Sequence, residues 1–587
     1  MSHLLAIAVG PVQEFIVAAR RTRDLWFGSY LLSEISKATA KAVQDHRGEL
    51  IFPAPADPGD LQPGSGFNVA NIVLAALNGT DPRVIVHEAE AAAVACWQRF
   101  ADQVLEENQE VVREAIWNEQ VDDVIEFYAA WVRVTSTDDY AIDRRRVMRL
   151  LAGRKACRDF LPAKGHAGVQ KSSLDGLRES VLRPQVEWQK HDHQRLRVTE
   201  GEQLDVVGLV KRTADRSQPY PSVSRVAGDT WIRGVEAGSL ARLRHECEHL
   251  GGEVLRPLKV DEGGHPHFAI FPFEGTAVFR SRYRELTEAA DIAEKSLKPL
   301  SRALGDLVDQ YGEPSPYLAV LVADGDRVGQ ALSKMSSAED HRKFSQSLAG
   351  FATEAKKIIH AHQGILVYAG GDDVLAFAPV DQALPCSRKL HDQFGDTMQA
   401  WAAKTGTQLT LSIGVAIGHF MEPMEDLLAC GRAAERHAKS PRQEDGAQLE
   451  RNGLAVHLHK RGGGPIAVRA NWTDGLDDHL THLAEWINAK AISGRVAYDL
   501  RQIAELYASW PDNLVKDAIQ RDTLSILKSK QPRGEQSRIE SVKQFVRDRV
   551  RDAASLRRIS EELLVARQIA VSLRQASGQR DAQEVLA

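Results

Sequence analysis

Short apolar runs and a helical apolar period alternate along the second half of the chain. The runs Leu318–Ala323, Ile365–Tyr368 and Val374–Phe377 are typical of buried strands. Between the first two runs, apolar residues recur every three or four positions from Phe344 to His362, which predicts a helix. Further on, the pattern predicts helices over 382–404 and 424–439 and strands over Leu409–Ile417 and Leu454–His459. The order β-α-β-β-α-β is that of a ferredoxin-like palm.

The first part of the chain repeats this order. Strands are predicted at Leu4–Val9, Glu49–Phe52, Val69–Ala75 and Ile125–Val132. A helix that Pro11 opens at its first position follows the first strand, and a long helix is predicted over 83–108. The sequence therefore predicts an α+β chain with two palm-like units.

Four domains follow from these patterns. They are a degenerate N-terminal palm-like domain (1–155), a mixed α/β middle domain (156–315), a palm with acidic turns (316–465) and an all-helical C-terminal domain (466–587). The glycine-rich segment Arg461–Pro465 is expected to be the linker before the helical domain.

Composition limits the class of protein. A chain of 587 residues with 43% hydrophobic and 26% charged residues is typical of a soluble, multidomain protein. Its net charge of −6 means that any RNA contact must come from local patches. Five cysteines without a C-x-x-C pair predict a reduced, cytoplasmic protein. No apolar run is long enough for a membrane span, and Leu4–Val9 is too short for a signal sequence.

Acidic residues follow two of the predicted strands. The turn Gly370-Gly371-Asp372-Asp373 projects two adjacent carboxylates, which repel each other unless a cation lies between them. Asp324 follows another strand, 48 residues before Asp372. A β-α-β-β unit can bring that strand's end beside the turn. Three carboxylates are then expected to meet at one point and to hold one or two Mg²⁺ ions together with triphosphate oxygens.

The sequence His245-Glu246-Cys247-Glu248-His249 fits two metalloprotease patterns and needs a separate interpretation. On a helix the two histidines lie on one face, as zinc requires. Gly251-Gly252 ends the helix at once, and no obvious third ligand follows. The apolar stripe of this helix is ordinary, so a chance match is expected and no zinc site is predicted.

The acidic motifs resemble those of a known family. The GGDD turn and an upstream D-G-D-x-x-G stretch resemble the palm of nucleotide polymerases and GGDEF-type cyclases. They are most similar to the large subunit of type III CRISPR effector complexes, a family that makes cyclic oligoadenylates from ATP. The D-G-D-x-x-G residues are Asp324, Gly325, Asp326 and Gly329.

Other motifs indicate the subtype. The N-terminal segments GPVQ-x-F-I and ARRTRDLW-x-GS-x-LLSE resemble the type III-B (Cmr-type) large subunit. The segments Lys171–Gly176 and Pro221–Ser224 do so too. Members of the family often begin with an HD nuclease domain. Here a strand is predicted from Leu4, so no such domain is expected in this chain.

The resemblance implies a nucleotidyltransferase that joins ATP molecules into cyclic oligoadenylate. Asp324, Asp372 and Asp373 are then the catalytic residues, holding Mg²⁺ or Mn²⁺, and Lys439 offsets triphosphate charge. The resemblance also implies that guide crRNA, target RNA and the other subunits of the complex are partners. The remaining residues expected to bind or shape the nucleotide site are Gly325, Asp326, Gly329, Gly370, Gly371 and, at a predicted helix break in the first unit, Gly28 and Ser29.

Two other functions remain open from the sequence. One is a catalytically silent scaffold of the ribonucleoprotein. The other is a free-standing nucleotide cyclase, against which stand the additional domains and the aspartate at Asp373, where those enzymes carry glutamate. The basic segment Lys528–Arg558, with a local charge of +6, is compatible with an RNA-facing, a partner-facing or a solvent-facing surface.

Overall fold

The structure is a computed structural model of the full chain. It describes residues 2–134, 140–157, 165–189, 192, 196, 198–214, 220–251, 254, 255, 257, 268, 270–290, 292–444, 447–449, 451–529 and 536–579.

The first palm is a four-stranded antiparallel sheet with helices on both faces. Its strands are β1 (His3–Gly10), β2 (Glu49–Phe52), β3 (Ile72–Leu77) and β4 (Glu126–Arg133). Its helices are α1 (Gln13–Val17), α2 (Thr22–Asp45), α3 (Pro82–Asn108), α4 (Glu114–Val121) and α5 (Tyr140–Ala156). The sheet order β2-β3-β1-β4 is that of a ferredoxin-like fold, as predicted. The first helix begins at Gln13, so the prediction that Pro11 opens it was wrong.

The alternation of side chains along β1 explains why both faces are covered. Leu5, Ile7 and Val9 are buried in one core with α2 and α3. Leu4 and Ala6 point the other way, into a smaller core with α5. A strand buried on both faces reads as a continuous apolar run, which is the pattern seen in the sequence.

The longer regular elements described in the segment after the first palm are helices. They are α6 (Val206–Thr213), α7 (Val223–Gly234), α8 (Ala237–Leu250), α9 (Tyr283–Ala290) and α10 (Lys298–Tyr311). Two isolated bridges, Val112 with Leu182 and Lys171 with Glu179, are the β-type pairings there. The described part of 156–315 contains no strand, so it does not show the mixed α/β content predicted for this segment.

The second palm has a six-stranded sheet. Its strands are β5 (Tyr317–Asp326), β6 (Ile365–Gly370), β7 (Asp373–Ala378), β8 (Thr410–His419), β11 (Gly453–Leu458) and β12 (Ile466–Asn471), and a short hairpin of β9 (Arg442–Glu444) and β10 (Ala447–Leu449) lies outside the sheet. Its helices are α11 (Val328–Ser333), α12 (Ala338–Ala361), α13 (Val380–Thr405) and α14 (Met424–Lys439). The order β12-β11-β8-β5-β7-β6 contains the ferredoxin-like order in β8-β5-β7-β6.

The sheet of this palm includes a strand that follows residue 465. β12 pairs antiparallel with β11, residue Leu458 opposite Ile466. The glycine-rich segment Arg461–Pro465 is therefore the turn of a hairpin and not a linker between domains. The sheet continues past residue 465, because the backbone of β12 pairs with that of β11. The division into four domains stays a prediction.

The C-terminal part is helical, as predicted. Its helices are α15 (Leu476–Asn488), α16 (Val496–Tyr507), α17 (Asp512–Ser529), α18 (Gln536–Arg549) and α19 (Ala553–Ala576). They share one core with α12, α13 and one face of the second sheet. The other face of that sheet packs with α14, α7, α8 and α10. Within the described residues, no helix combines the length and the apolar content needed to cross a membrane.

Short single-turn 3₁₀ helices complete the chain. They lie at Pro58–Leu61, Gln109–Val111, Gln185–Glu187, Gly275–Ala277, Arg280–Arg282, Glu294–Leu297 and Trp472–Asp474.

Candidate active site

The GGDD sequence forms the turn between β6 and β7. Gly370 and Asp373 are the closing pair of the hairpin, so Gly371 and Asp372 are its two central residues. Gly371 has φ of +82°, the left-handed region that a type II′ turn requires at this position and that glycine adopts without strain. The hairpin places both carboxylates at one end of the sheet.

Gly370 is required for a different reason. The ring of Tyr368 lies over it, and a Cβ built on Gly370 would lie 1.6 Å from the Tyr368 hydroxyl. Burial raises the pKa of that hydroxyl, and the charges of Asp373 and Asp372 raise it further. Tyr368 is therefore a neutral side chain beside the carboxylates of the turn.

The end of β5 lies directly against this turn. A Cβ on Gly325 would be 2.7 Å from Cβ of Asp372 and 3.0 Å from its Oδ2. β5 is the neighbour of β7 in the sheet, with Ala323 opposite Val374. The sheet order thus brings Asp324 beside the GGDD turn, as the β-α-β-β argument predicted.

Lys439 occupies one side of the site. It lies at the C-terminal end of α14, and its ammonium donates a hydrogen bond to Oδ1 of Asp324. The same ammonium lies 2.9 Å from Oε1 of Glu435, one turn earlier on the helix. Burial acts to lower the pKa of Lys439, but the bonds to Asp324 and Glu435 outweigh burial and raise it. The site therefore carries a fixed cation next to its carboxylates.

The pKa values of two carboxyl groups of the site are raised, so these groups lose their protons less readily than a free aspartate. Desolvation, followed by the charge of Asp324, raises the pKa of Asp372 to about 6. The pKa of Asp373 is raised by desolvation, by a hydrogen bond with Asp324 and by the charge of Asp372. Both shifts have the sign expected of acids that are crowded together with too little positive charge.

Hard oxygen ligands of this type are those that Mg²⁺ and Mn²⁺ prefer. The donor set and its raised pKa values fit a divalent cation. Asp324 lies close enough to Asp372 and Asp373 to raise the pKa of both. Among the described residues, however, no group of three or more His, Cys, Asp or Glu side chains is arranged to hold a metal ion. One oxygen of Asp324 is taken by Lys439. The metal-binding role of the three aspartates stays a prediction.

Asp326 lies next to the site but is fully engaged elsewhere. Its carboxylate is 1% exposed and accepts hydrogen bonds from Thr410 (2.8 Å), Ser412 (2.8 Å) and the backbone N–H of Asn452 (3.0 Å). These partners come from β8 and from the turn before β11. Asp326 therefore fastens the end of β5 to the rest of the sheet. Gly329, the second residue of α11, is exposed, and nothing lies within 4 Å of a Cβ built on it.

Gly28 and Ser29 differ from their prediction. Both are buried within the continuous helix α2, so the expected helix break is wrong. A Cβ on Gly28 would lie 2.9 Å from Cε of Lys211, whose ammonium donates to the backbone carbonyl of Ala18 at 2.6 Å. A small residue is needed at position 28 because the Lys211 side chain crosses α2 there. Contact of these two residues with a nucleotide has no support in this packing.

The first palm nevertheless faces the GGDD turn. Helix α2 packs against β6, and Nδ2 of Asn68 lies 3.4 Å from the carbonyl oxygen of Ala369, immediately before the turn. Two residues of α2 that form a buried ion pair with each other at 2.5 Å, Lys37 and Glu34, hold the loop that carries Asn68. Lys37 donates to the carbonyl of Ser65 at 2.8 Å, and Glu34 accepts a hydrogen bond from the backbone N–H of Gly64 at 2.9 Å.

Sequence reasoning missed three of these residues. Tyr368, Glu435 and Asn68 carry no motif that marks them. The spacing of four between Glu435 and Lys439 was a detectable signal for an ion pair on one helix face. The contact of Asn68 with β6 had no signal in the sequence.

The H-E-x-x-H sequence lies on α8, as predicted. Leu243 and Cys247 are buried, whereas His245 and His249 are exposed with ring centroids 4.2 Å apart. Nδ1 of His249 lies 3.3 Å from the carbonyl oxygen of His245, a contact within one helical turn. Among the described residues no third ligand joins the two histidines.

Comparisons with known proteins place two parts of the chain. Residues 4–116 match the family described as CRISPR-associated protein Cmr2, N-terminal, and residues 317–448 match the family described as Cas10/Cmr2, second palm domain. The chain is 24% identical to the CRISPR system Cmr subunit Cmr2 of Pyrococcus furiosus over 80% of its own length. It spans 63% of the length of that relative.

Solved structures agree with the fold. A chain of the type III-B Cmr-beta complex in the apo state matches with a TM-score of 0.61 and 14% identity, covering 91% of this chain and 78% of that chain. The complex bound to cognate target RNA matches with a TM-score of 0.60 and 13% identity, covering 91% and 79%. The predicted α+β fold and the resemblance to type III-B large subunits are confirmed.

Proposed function

We propose that this chain is the large subunit of a type III-B effector complex, because residues 4–116 and 317–448 match the Cmr2 N-terminal and the Cas10/Cmr2 second palm families. In this proposal the second palm joins ATP molecules into cyclic oligoadenylate, and pairing of guide crRNA with target RNA switches synthesis on. The other subunits of the complex and both RNAs are its partners. Five unpaired cysteines support a cytoplasmic location.

One observation carries the proposed chemistry. The GGDD turn lies against the Asp324–Gly325 strand end without an intervening side chain, and Lys439 supplies the cation beside it. Burial and crowding of these carboxylates cost folding stability, and their raised pKa values express that cost. A bound Mg²⁺ or Mn²⁺ ion would offset this cost, and a triphosphate would complete its ligands.

In this proposal each residue of the site has a separate role, set by its position. Asp324, Asp372 and Asp373 would hold the cations, which when bound lower the pKa of the attacking 3′-hydroxyl and neutralise the departing pyrophosphate. Lys439 offsets triphosphate charge, and it is held in place by Glu435. Gly371 gives the turn a bare backbone, so a phosphate oxygen can approach it closely. Asp326 keeps the strand end fixed.

The first palm would hold the second ATP. It approaches the turn from the side of β6 through α2 and Asn68. Lys37 and Glu34 of α2 hold the Asn68 loop through hydrogen bonds with Ser65 and Gly64. The rigid surface formed by α2 and the Asn68 loop would orient the attacking nucleotide relative to the carboxylates. Orientation of this kind accounts for a large part of many enzymatic rate enhancements.

The test is product formation by the assembled complex. Complex with guide RNA, target RNA, ATP and Mg²⁺ is analysed by mass spectrometry, beside the double variant Asp372→Ala, Asp373→Ala. We expect cyclic oligoadenylate only from the wild-type complex, and only when target RNA is present. The matched control Asp396→Ala, Glu425→Ala removes two exposed carboxylates from the same palm and should keep full activity.

Other outcomes select another function. Product in the double variant would remove the GGDD turn from the chemistry. Product without RNA would favour a free-standing cyclase. Normal assembly without product under Mg²⁺ or Mn²⁺ would favour the scaffold.

A further inference from the structure

Helix α5 of the first palm has a strongly basic sequence, YAIDRRRVMRLLAGRKA. It carries five arginines and one lysine against a single acid, Asp143, in a chain whose net charge is −6. Asp143 is buried. Positive charge is therefore concentrated on the outer side of this one helix.

The helix is anchored to the palm by its inner face. Tyr140, Val147 and Leu151 are buried in the core that α5 forms with β1 and β4. Tyr140 also shares a hydrogen bond of 2.6 Å with Nδ1 of His341 in the second palm. The anchored inner face fixes which residues point outward, so the outer face is a defined surface and not a frayed end.

The outer face of α5 consists of positions 142, 145, 146, 149, 150 and 153, which follow the spacing of one helix face. Arg145, Arg146 and Arg149 are exposed there. Ile142 is 55% and Leu150 is 49% exposed between them. Gly153 on the same face has open space above it.

These three arginines differ from three other exposed cations of the chain, which form ion pairs. Lys343, Lys357 and Arg242 each lie within 3.3 Å of a carboxylate oxygen. Within the parts of the chain that the structure describes, Arg145, Arg146 and Arg149 have no ion pair. Three uncompensated guanidinium groups on one helix face repel one another, and an external anion removes that repulsion.

We propose that the outer face of α5 binds the phosphate backbone of single-stranded RNA. A guanidinium group donates two parallel hydrogen bonds to phosphate, and all three cations of the face are arginine. Arg145 and Arg149 are one helical turn apart, roughly 6 Å along the axis, so they address successive anionic groups of one strand. Ile142 and Leu150 offer apolar contact to bases. The proposal rests on the proposed function in taking RNA as the polyanion.

The test uses the full chain and a fluorescein-labelled single-stranded RNA of mixed sequence. Binding is measured by anisotropy across a salt series for the wild type and for Arg145→Gln, Arg146→Gln, Arg149→Gln. Each lost phosphate contact reduces the slope of log affinity against log salt by about 0.7, so the triple variant should lose about 2 from the slope. At about 0.1 M salt the affinity should fall roughly 10- to 100-fold.

The matched control is Lys343→Gln, Lys357→Gln, Arg242→Gln, which changes the net charge equally at exposed positions. It should bind RNA like the wild type. Equal losses in both triple variants would show a net-charge effect and overturn the proposal, as would no loss in either. Intact RNA binding with failed assembly of the α5 variant would assign the face to a protein subunit instead.

The experiments distinguish a failure of the proposed ATP chemistry from a failure of the proposed RNA binding by α5. The GGDD double variant should bind the labelled RNA normally, because its carboxylates lie in the other palm. Loss of ATP conversion there, with RNA binding kept, leaves the α5 proposal unaffected.

Discussion

The backbone of Gly325 lies against the side chain of Asp372, so close that an added Cβ would be 2.7 Å from Cβ of Asp372. Gly325→Ala must therefore push the end of β5 away from the GGDD turn. Overpacking of this kind costs about 1–3 kcal/mol. We expect the variant to fold and assemble but to lose most product formation, measured by mass spectrometry of ATP reactions.

Gly329→Ala is the matched control for that experiment. Nothing lies within 4 Å of a Cβ at this exposed position. Alanine is favoured over glycine inside a helix, so the melting temperature of Gly329→Ala should equal or slightly exceed that of the wild type, whereas Gly325→Ala should melt lower. A loss of product formation in Gly329→Ala with unchanged stability would support the predicted contact of Gly329 with the nucleotide.

Lys439 should matter for nucleotide binding through its charge. Lys439→Met removes the cation that pairs with Asp324 and Glu435. We expect KM for ATP to rise by about tenfold, which corresponds to about 1.4 kcal/mol. Lys439→Arg keeps the charge and should retain most of the affinity. Arg436→Met, on the exposed side of the same helix, should leave KM unchanged; an equal rise there would contradict a specific role.

Asp326 should contribute to the stability of the fold as well as to product formation. Asp326→Ala leaves the hydroxyls of Thr410 and Ser412 and the N–H of Asn452 without their acceptor in a buried position. Each lost bond to a charged group costs about 1.5–3 kcal/mol. We expect a melting temperature several degrees lower, measured by calorimetry. Asp396→Ala, which removes an exposed carboxylate of the same palm, should melt like the wild type.

His341 should make stability depend on pH. Burial, followed by the charge of Arg144, lowers its pKa from 6.5 to about 3 in the folded protein. Below pH 6.5 the unfolded chain therefore binds a proton that the folded chain does not bind. The free energy of unfolding should fall by up to about 1.4 kcal/mol per pH unit as pH drops from 6.5 towards 3.

The check on His341 is the His341→Gln variant, whose amide oxygen can still accept a hydrogen bond from Tyr140. The change in urea midpoint between about pH 7.5 and about pH 5.5 should be smaller in this variant than in the wild type. His249→Gln removes an exposed imidazole from α8 and should follow the wild type. Identical pH dependence in all three proteins would contradict the assigned role.

The order of elements in both palms could be read from the sequence because it depends on local periods. Helix 424–439 and strand Glu49–Phe52 have the predicted bounds. The GGDD turn was also a local signal, since the glycine at 371 and the carboxylates beside it lie within one hairpin. Periodicity further located the α8 stripe that buries Cys247.

Other features were decided by tertiary structure. Gly28 looked like a helix break, but Lys211 from a distant segment crosses α2 there and makes a small residue necessary. The segment Arg461–Pro465 looked like a linker, but pairing of β12 with β11 makes it a turn. Asp326 was expected to bind or shape the nucleotide site, and the tertiary structure decided its contacts: three donors from β8 and the turn before β11 bind its carboxylate.

The sequence by itself determined which elements form and which residues carry charge, because helix and strand periods are set by neighbours within a few positions. Only the tertiary structure decided which charges meet. Asp324 and Lys439 are far apart in the chain, and their ion pair exists because α14 packs against β5 and β8. Arg145, Arg146 and Arg149 lack carboxylate partners among the described residues because the packed face of α5 points them outward. Burial and pairing depend on packing between distant segments, which local patterns do not encode.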